Sequence, residues 1–159
     1  MILVALSLPS LVAAQDRAVI LAGPELSRVV PPGFYFQGLS APTQMRNSAA
    51  ARWGRDRYVI AGLVDTSGYS ADVREKYEGF LITDSDISID GKTLKSGAYG
   101  FGFSNDGKVN IMDLAGNQIL SGSTTKDGKL RRPRPLMMSQ DGERVRLYSG
   151  RDYVLIDAK

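Results

Sequence analysis

Nine consecutive residues in the last third of the chain, residues 126–134 with the sequence KDGKLRRPR, carry five cationic side chains and one acidic one. The remaining residues hold 15 positive and 16 negative side chains, so this basic segment accounts for the whole net charge of +3. Arginine presents a planar fork of N–H donors that suits carboxylates and phosphates. We therefore predict an anion- or partner-binding site formed by Lys129, Arg131, Arg132 and Arg134.

Two prolines shape the end of the basic segment. Pro133 and Pro135 flank Arg134 and favour an extended backbone that loses little conformational entropy on binding. The alternative interpretation is a solvated loop whose charges pair with acidic side chains elsewhere on the surface. A nucleic-acid partner is not expected, because the net charge is only +3 and no aromatic residues alternate with the basic ones.

Aromatic residues also lie close to cationic ones around Trp53. Three arginines surround it in the sequence, at positions 52, 55 and 57, and Tyr58 follows them. Stacking of guanidinium groups on an aromatic face is favourable. This arrangement predicts an aromatic platform at Trp53 and Tyr58, whereas the alternative is that the tryptophan covers one edge of the core.

Paired carboxylates are the remaining groups with catalytic potential. Asp84 with Asp86 and Glu75 with Glu78 are the nearest pairs, and glycoside hydrolysis uses two carboxyl groups about 5–10 Å apart across a cleft. Acidic residues near turns and on a short helix are more commonly hydrated. A carboxylate-dependent hydrolase is therefore the less favoured alternative.

The residue types that are missing exclude many activities. The chain contains no Cys and no His, so it has no thiolate nucleophile, no Ser-His-Asp triad and no Cys- or His-ligated metal. The acidic residues 84–90 resemble the start of a calcium loop, but Gly97 stands where such a loop needs a bidentate Glu. We expect no cofactor and no metal, and we favour a protein that is not an enzyme.

Short β-rich segments between tight-turn dipeptides predict the elements that position these side chains. Asp-Gly supplies the positive φ angles of hairpin turns, and it recurs at residues 90–91, 106–107, 127–128 and 141–142, with Gly-Asn at 116–117. The predicted strands are residues 17–21, 33–39, 57–64, 78–83, 86–89, 98–104, 108–113, 118–121, 144–148 and 153–157. The pattern predicts an all-β antiparallel sandwich or barrel of about eight to ten strands.

Two stretches of the N-terminal half lack a strand pattern. Residues 44–57 are polar and contain alanine, which favours a connection over a strand. Residues 71–77 predict one short helix, with Ser70 as its N-cap and Asp72 in its first turn.

The N-terminal residues 1–14, MILVALSLPSLVAA, predict a secretory signal peptide. They form an apolar stretch that ends in small residues suited to cleavage before Gln15. Fourteen residues are shorter than the about 20 that a membrane-spanning helix needs. We therefore expect a single domain over residues 15–159 that is secreted or periplasmic and does not span a membrane.

The run DISIDGKTLKSGAYGFGF at residues 86–103 resembles a pattern in small exported bacterial proteins with an uncharacterised β-rich domain. In that pattern a strand precedes Gly-Lys-Thr-Leu, two further residues and Gly-x-Tyr-Gly, matched here by residues 91–94 and 97–100. The match covers less than a fifth of the chain. The resemblance implies a β-rich exported domain and transfers no catalytic residue.

These observations favour an exported, non-enzymatic β domain that binds a partner or small ligand at the cell envelope. The partner that suits the basic segment is an acidic envelope component or a small molecule. An envelope structural or assembly subunit, in which strand edges pair between copies, is the first alternative. The oligomeric state is left open by the sequence.

Overall fold

The protein is built from short antiparallel strands, as the alternating sequence predicts. A computed structural model describes residues 17–159, so the predicted signal peptide at residues 1–14 lies outside the described part. The strands are β1 (Ala18–Ile20), β2 (Gly33–Phe36), β3 (Leu39–Trp53), β4 (Arg57–Val64), β5 (Gly79–Thr83), β6 (Ile87–Ile89), β7 (Lys92–Leu94), β8 (Gly97–Ser104), β9 (Lys108–Met112), β10 (Gln118–Ser123), β11 (Thr125–Lys126), β12 (Arg134–Asp141), β13 (Arg144–Gly150) and β14 (Asp152–Ala158). The helices are α1 (Gly23–Val29) and α2 (Ala71–Arg74).

The strands form two antiparallel sheets. The first has the order β1-β3-β4-β5-β8-β9-β10, with β2 paired to β3, and the second has the order β12-β13-β14-β6-β7, with β11 paired to β14. The predicted all-β antiparallel class is confirmed, and the arrangement is a sandwich. Residues 17–159 contain 14 strands, more than the eight to ten expected, because several strands have only two or three residues.

Side chains on successive residues of the central strands enter two different cores. In β4, Val59 and Ala61 belong to the core between the two sheets, and Ile60 and Val64 to a second core on the outer face of the first sheet. This follows from the two-residue period of a strand. Because both faces of β4 are covered, its sequence is almost continuously apolar.

The second core consists mainly of aromatic rings that cover the first sheet. Phe36 stacks on Tyr77 with ring centroids 3.9 Å apart, and Phe34 stacks on Phe80 at 5.0 Å. Gly100 in β8 allows the Phe36 ring to lie close to the backbone of the first sheet, because a Cβ at that position would lie 2.6 Å from this ring. Strand β2 and the segment around α2 thus form a third, smaller layer.

Three of the four predicted Asp-Gly hairpins are present. The β6–β7 turn has positive φ at both Asp90 and Gly91, and Gly107 and Gly142 have positive φ in the β8–β9 and β12–β13 turns. The predicted Gly116–Asn117 turn likewise joins β9 to β10. The prediction at residues 127–128 was wrong, because that dipeptide lies in the loop from β11 to β12.

The largest error of the sequence-based prediction concerns β3. Residues 44–57 were predicted to form a connection, but the first ten of them belong to this 15-residue strand. Ala50 and Ala51 are fully buried, so packing between layers outweighs the weak strand propensity of alanine. The register with β4 shifts across residues 44–47, so this part of the strand bulges out of the ladder.

The predicted short helix is present as α2 and ends earlier than expected. The Ser70 side chain accepts a hydrogen bond from the Val73 N–H at 3.4 Å, which is the predicted N-cap. The second helix, α1, and strands β7, β11 and β12 were not predicted. Within residues 17–159, neither helix is long and apolar enough to cross a membrane.

One free edge of the first sheet is covered by side chains of the second. The backbone N–H of Ser123 in β10 donates to Asp90 Oδ2 at 2.8 Å, and Lys92 Nζ donates to the Ser121 carbonyl. Asp90 and Lys92 belong to the β6–β7 hairpin, so the two sheets are linked on this side. On the opposite side, β1 and β12 are the outer strands of their sheets.

Candidate functional site

The basic segment, residues 126–134, begins on the second sheet and ends where β12 starts. Lys126 lies in β11 opposite Asp152 of β14, and its amine is 3.7 Å from that carboxylate. The backbone N–H of Asp127 donates to the Arg151 carbonyl at 2.8 Å. The first residues of the segment are therefore tied to β14 and to the turn before it.

Asp127 is the main anchor of the basic segment. Its Oδ2 accepts a hydrogen bond from the Tyr148 hydroxyl at 2.8 Å and lies 3.6 Å from Arg146 Nη1. Its Oδ1 accepts the Lys129 backbone N–H at 3.1 Å. The hydrogen bond from Tyr148 is the main reason why the pKa of Asp127 lies below its usual value. Asp127, the one acid of the segment, is thus an anchor to the second sheet. Its carboxylate pairs with Arg146 and not with the exposed cations of the segment.

Arg146 completes this anchor on the outer face of the second sheet. Its Nε donates to Asp141 Oδ2 at 3.1 Å, and its guanidinium carbon lies 4.4 Å from the centre of the Tyr153 ring. Arg146 thus has a carboxylate partner in both Asp127 and Asp141 and an aromatic ring against its face, and both kinds of contact are favourable. Sequence reasoning treated Arg146 only as the polar half of an alternating strand, because its partners are distant in sequence.

A further contact holds the middle of the segment. Arg151 Nη1 donates to the Leu130 carbonyl, and the Leu130 N–H donates to the Asp127 carbonyl at 3.3 Å. The side chains of Lys129, Arg131 and Arg132 are exposed. None of these three side chains makes a hydrogen bond or ion pair with another residue of the described part of the chain. The structure thus presents three cations on a backbone that is fastened beside them.

Arg134 lies at the other end of the segment and reaches the first sheet. It is exposed, and its Nη2 donates to the backbone carbonyl of Arg46 at 3.2 Å. Arg46 belongs to the bulge of β3, where Gln44, Asn47 and Ser48 are held by local hydrogen bonds. The predicted residue Arg134 therefore bridges the two sheets on the side of the sandwich where β1 and β12 lie.

An apolar groove opens beneath this bridge, and we call it the edge groove. It lies between the β1–α1 connection, the bulge of β3 and the start of β12, and has a volume of about 390 Å³. Its apolar lining includes Leu21, Leu26, Met45, Leu136, Met137 and Met138. Arg46 and Arg134 also line it, and the lining contains no acidic residue. The sequence carried no signal for this groove, because it is assembled from three separate segments.

The two residues of the predicted aromatic platform have different environments. Trp53 is 2% exposed and belongs to the core between the sheets, and its Nε1 donates to the Glu143 carbonyl at 2.7 Å. This corrects the prediction of a platform at Trp53, since a buried ring offers no face to a ligand. Tyr58 is partly buried and its backbone N–H donates to Asp84 Oδ1 at 2.7 Å.

The candidate catalytic carboxylates mostly have structural partners. Asp84 accepts the Tyr58 N–H, and Asp86 accepts hydrogen bonds from Lys95 Nζ at 2.9 Å and the Ser96 N–H at 3.0 Å. These contacts and a nearby lysine hold the pKa of Asp86 below its usual value. Asp84 therefore stabilises the start of β4, and Asp86 stabilises the turn that follows β7.

Glu78 is the one predicted acid that lies in a cleft. Burial raises its pKa, although its Oε2 accepts the Phe103 N–H at 3.1 Å. The cleft has a volume of about 300 Å³ and is lined also by Gln44, Arg74 and Ser149. Glu78 is the only carboxylate in its lining, and Glu75 is not part of it. The arrangement lacks the second carboxyl group that glycoside hydrolysis requires.

No group of three or more acidic side chains in residues 17–159 is placed to hold a metal ion. Comparison of the chain with family models, curated proteins and solved structures finds no match. The resemblance at residues 86–103, which form β6, β7 and β8, therefore stays a prediction.

Proposed function

We propose that the protein is an exported, non-enzymatic binding domain whose basic segment captures an acidic component of the cell envelope. The observation that carries this proposal is the exposure of Arg131 and Arg132, which have no partner in the described residues, beside a fastened backbone. A cationic loop that serves only solubility needs no such fastening.

Electrostatics and preorganisation support the same function. Asp127 is engaged with Tyr148 and Arg146, so Lys129, Arg131 and Arg132 keep their charge available for a partner. A segment that is already ordered loses less conformational entropy on binding than a flexible loop does. Lys129, Arg131, Arg132 and Arg134 are the residues proposed to contact the partner.

The test uses a triple variant, R131Q/R132Q/R134Q, and two probes, phosphatidylglycerol vesicles and polygalacturonate. The wild-type protein should bind at least one probe, and binding should weaken as salt rises, because exposed charges are screened over about 8–10 Å at ordinary ionic strength. The triple variant should lose this binding. Its melting temperature should change little, since exposed charges contribute only about 0–1 kcal/mol each.

A matched control separates site-specific binding from net charge. The variant R28Q/R55Q/R144Q removes the same charge from exposed arginines outside the segment. It should retain binding. Equal loss in both triple variants, or wild-type protein that binds neither probe, would overturn the proposal.

A further inference from the structure

The edge groove has the dimensions and lining of a small-molecule site. Its volume of about 390 Å³ falls within the roughly 300–1,000 Å³ typical of ligand pockets. Leu136 and Met138, which line it, are almost completely buried, so its floor is continuous with the core between the sheets. A ligand in the groove would therefore lie against a preformed apolar surface.

Methionine side chains allow the floor of the groove to adapt to the shape of an apolar ligand. Three of the five methionines of the chain, Met45, Met137 and Met138, line the groove. Methionine is unbranched and polarizable, so it packs against flexible apolar ligands of varying shape. Met45 is 44% exposed, so part of the methionine surface is accessible to an incoming ligand.

Positive charge lies beside this apolar floor. Arg46 and Arg134 both line the groove, and none of the described residues of its lining is acidic. Arg134 uses one N–H to reach the Arg46 carbonyl, and a guanidinium has five N–H donors in all. Both side chains therefore retain donors for an anionic group placed at the mouth of the groove.

From this combination we infer that the edge groove binds the monomeric form of a single-chain amphiphilic anion, such as a medium-chain fatty acid. The acyl chain would lie on the methionine and leucine floor, and its carboxylate would contact Arg46 and Arg134. The inference rests on the proposed function and names the ligand class at the end of the same basic segment. A groove of this volume suits one chain in monomeric form better than it suits a membrane surface.

The experiment is calorimetric titration with dodecanoate below its micelle concentration. Two further probes separate the contributions: butyrate keeps the head and lacks the chain, and dodecyltrimethylammonium keeps the chain with opposite charge. Dodecanoate should bind with one-to-one stoichiometry, and each of the other two should bind at least about tenfold more weakly, which corresponds to about 1.4 kcal/mol. Phosphatidylglycerol vesicles report separately on binding to a membrane surface.

Variants of the groove supply the controls. R46Q should weaken dodecanoate binding about tenfold, whereas R144Q, an exposed arginine outside the groove, should leave it unchanged. Ala22→Phe adds bulk at an exposed position of the lining, and Met45→Ser makes an exposed part of it polar. Both should abolish dodecanoate binding and leave polyanion binding by Arg131 and Arg132 intact.

The outcomes distinguish this inference from the proposed function. Absence of saturable dodecanoate binding, or binding unaffected by both R46Q and Ala22→Phe in folded protein, would overturn the inference alone. Wild-type protein that binds neither phosphatidylglycerol vesicles nor polygalacturonate would instead overturn the proposed function.

Discussion

The carboxylate of Asp127 accepts a hydrogen bond of 2.8 Å from the hydroxyl of Tyr148, and this contact fastens the basic segment to the second sheet. Tyr148 is 2% exposed and lies on the same face of β13 as Arg146, with its ring centroid 5.2 Å from that of Tyr153. Arg146 lies beside both groups and joins them to Asp141. The exposed cations are consequently carried by a segment that this polar cluster anchors to the sheet.

Substitution R146Q should loosen the basic segment without unfolding the sandwich. It removes the cation that lies between Asp127 and Asp141, so the segment should become more accessible to trypsin. Cleavage should rise after Lys129 and Arg131, since the bonds after Arg132 and Arg134 precede proline and resist trypsin. Fragment masses over time measure this effect.

The control for this prediction lies on the same strand. R144Q removes an exposed arginine that begins β13 and should leave the cleavage rate unchanged. Equal cleavage of wild-type protein and the Arg146 variant would show that the cluster does not fasten the segment.

Glu78 should make the protein less stable as the pH rises. Because burial raises its folded-state pKa above the usual value of 4.5, the native state binds more protons than the unfolded state above that pH. The free energy of unfolding therefore falls as pH rises from about 4.5 to the folded-state pKa. Glu78→Gln keeps an acceptor for the Phe103 N–H and should be more stable than wild type at neutral pH.

Urea unfolding at pH 4 and pH 7 measures this difference. The advantage of the Glu78 variant should shrink towards pH 4, and Glu75→Gln is the matched control, the same substitution at an exposed position. A Glu78 variant that is less stable than wild type at pH 7 would mean that the charged form is favoured in the fold.

Gly102 should be intolerant of any side chain. A Cβ there would overlap the backbone carbonyl oxygen of Lys76, which belongs to the segment that covers the first sheet. Gly102→Ala should lower the free energy of unfolding by about 1–3 kcal/mol, the usual cost of overpacking. The comparison is Gly128→Ala, where a Cβ has no neighbour within 4 Å and the change should stay within about 0.5 kcal/mol.

The proposed export predicts a defined mature terminus. Cleavage after residue 14 leaves Gln15 as the first residue of the secreted protein. Intact-mass measurement of protein recovered from the periplasm or medium should give the mass of residues 15–159. Exported protein that retains Met1 would contradict the predicted cleavage.

The sequence predicted elements well where local pattern and packing agree. Strand β4 has the predicted bounds, because its apolar run and flanking turn residues specify a strand buried on both faces. Strand β3 was missed, because its alanines become buried only through contacts between layers that no local pattern encodes. The sequence predicted a hairpin turn at residues 127–128. The structure instead places this dipeptide in a loop, where the Asp127 carboxylate accepts a hydrogen bond from Tyr148 and pairs with Arg146.

The candidate site was predictable in part. The basic segment is visible as a local concentration of charge, and its arginines are exposed, as charged side chains usually are. Arg46 was not predicted, because it lies 88 positions from Arg134 and the two meet only through the sandwich. The burial of Trp53 agrees with the alternative that it covers the core, because a strand with inward alternate residues places it there.

Strand β14, the last strand in residues 17–159, pairs with β13 on one side and β6 on the other. While its seven residues are still being synthesised, the β6–β7 and β12–β13 hairpins have no strand between them. The second sheet therefore closes only when β14 joins it, and long-range pairing of this kind is slow. Since β11 also pairs with β14, the basic segment is anchored only once β14 has taken its place in the sheet.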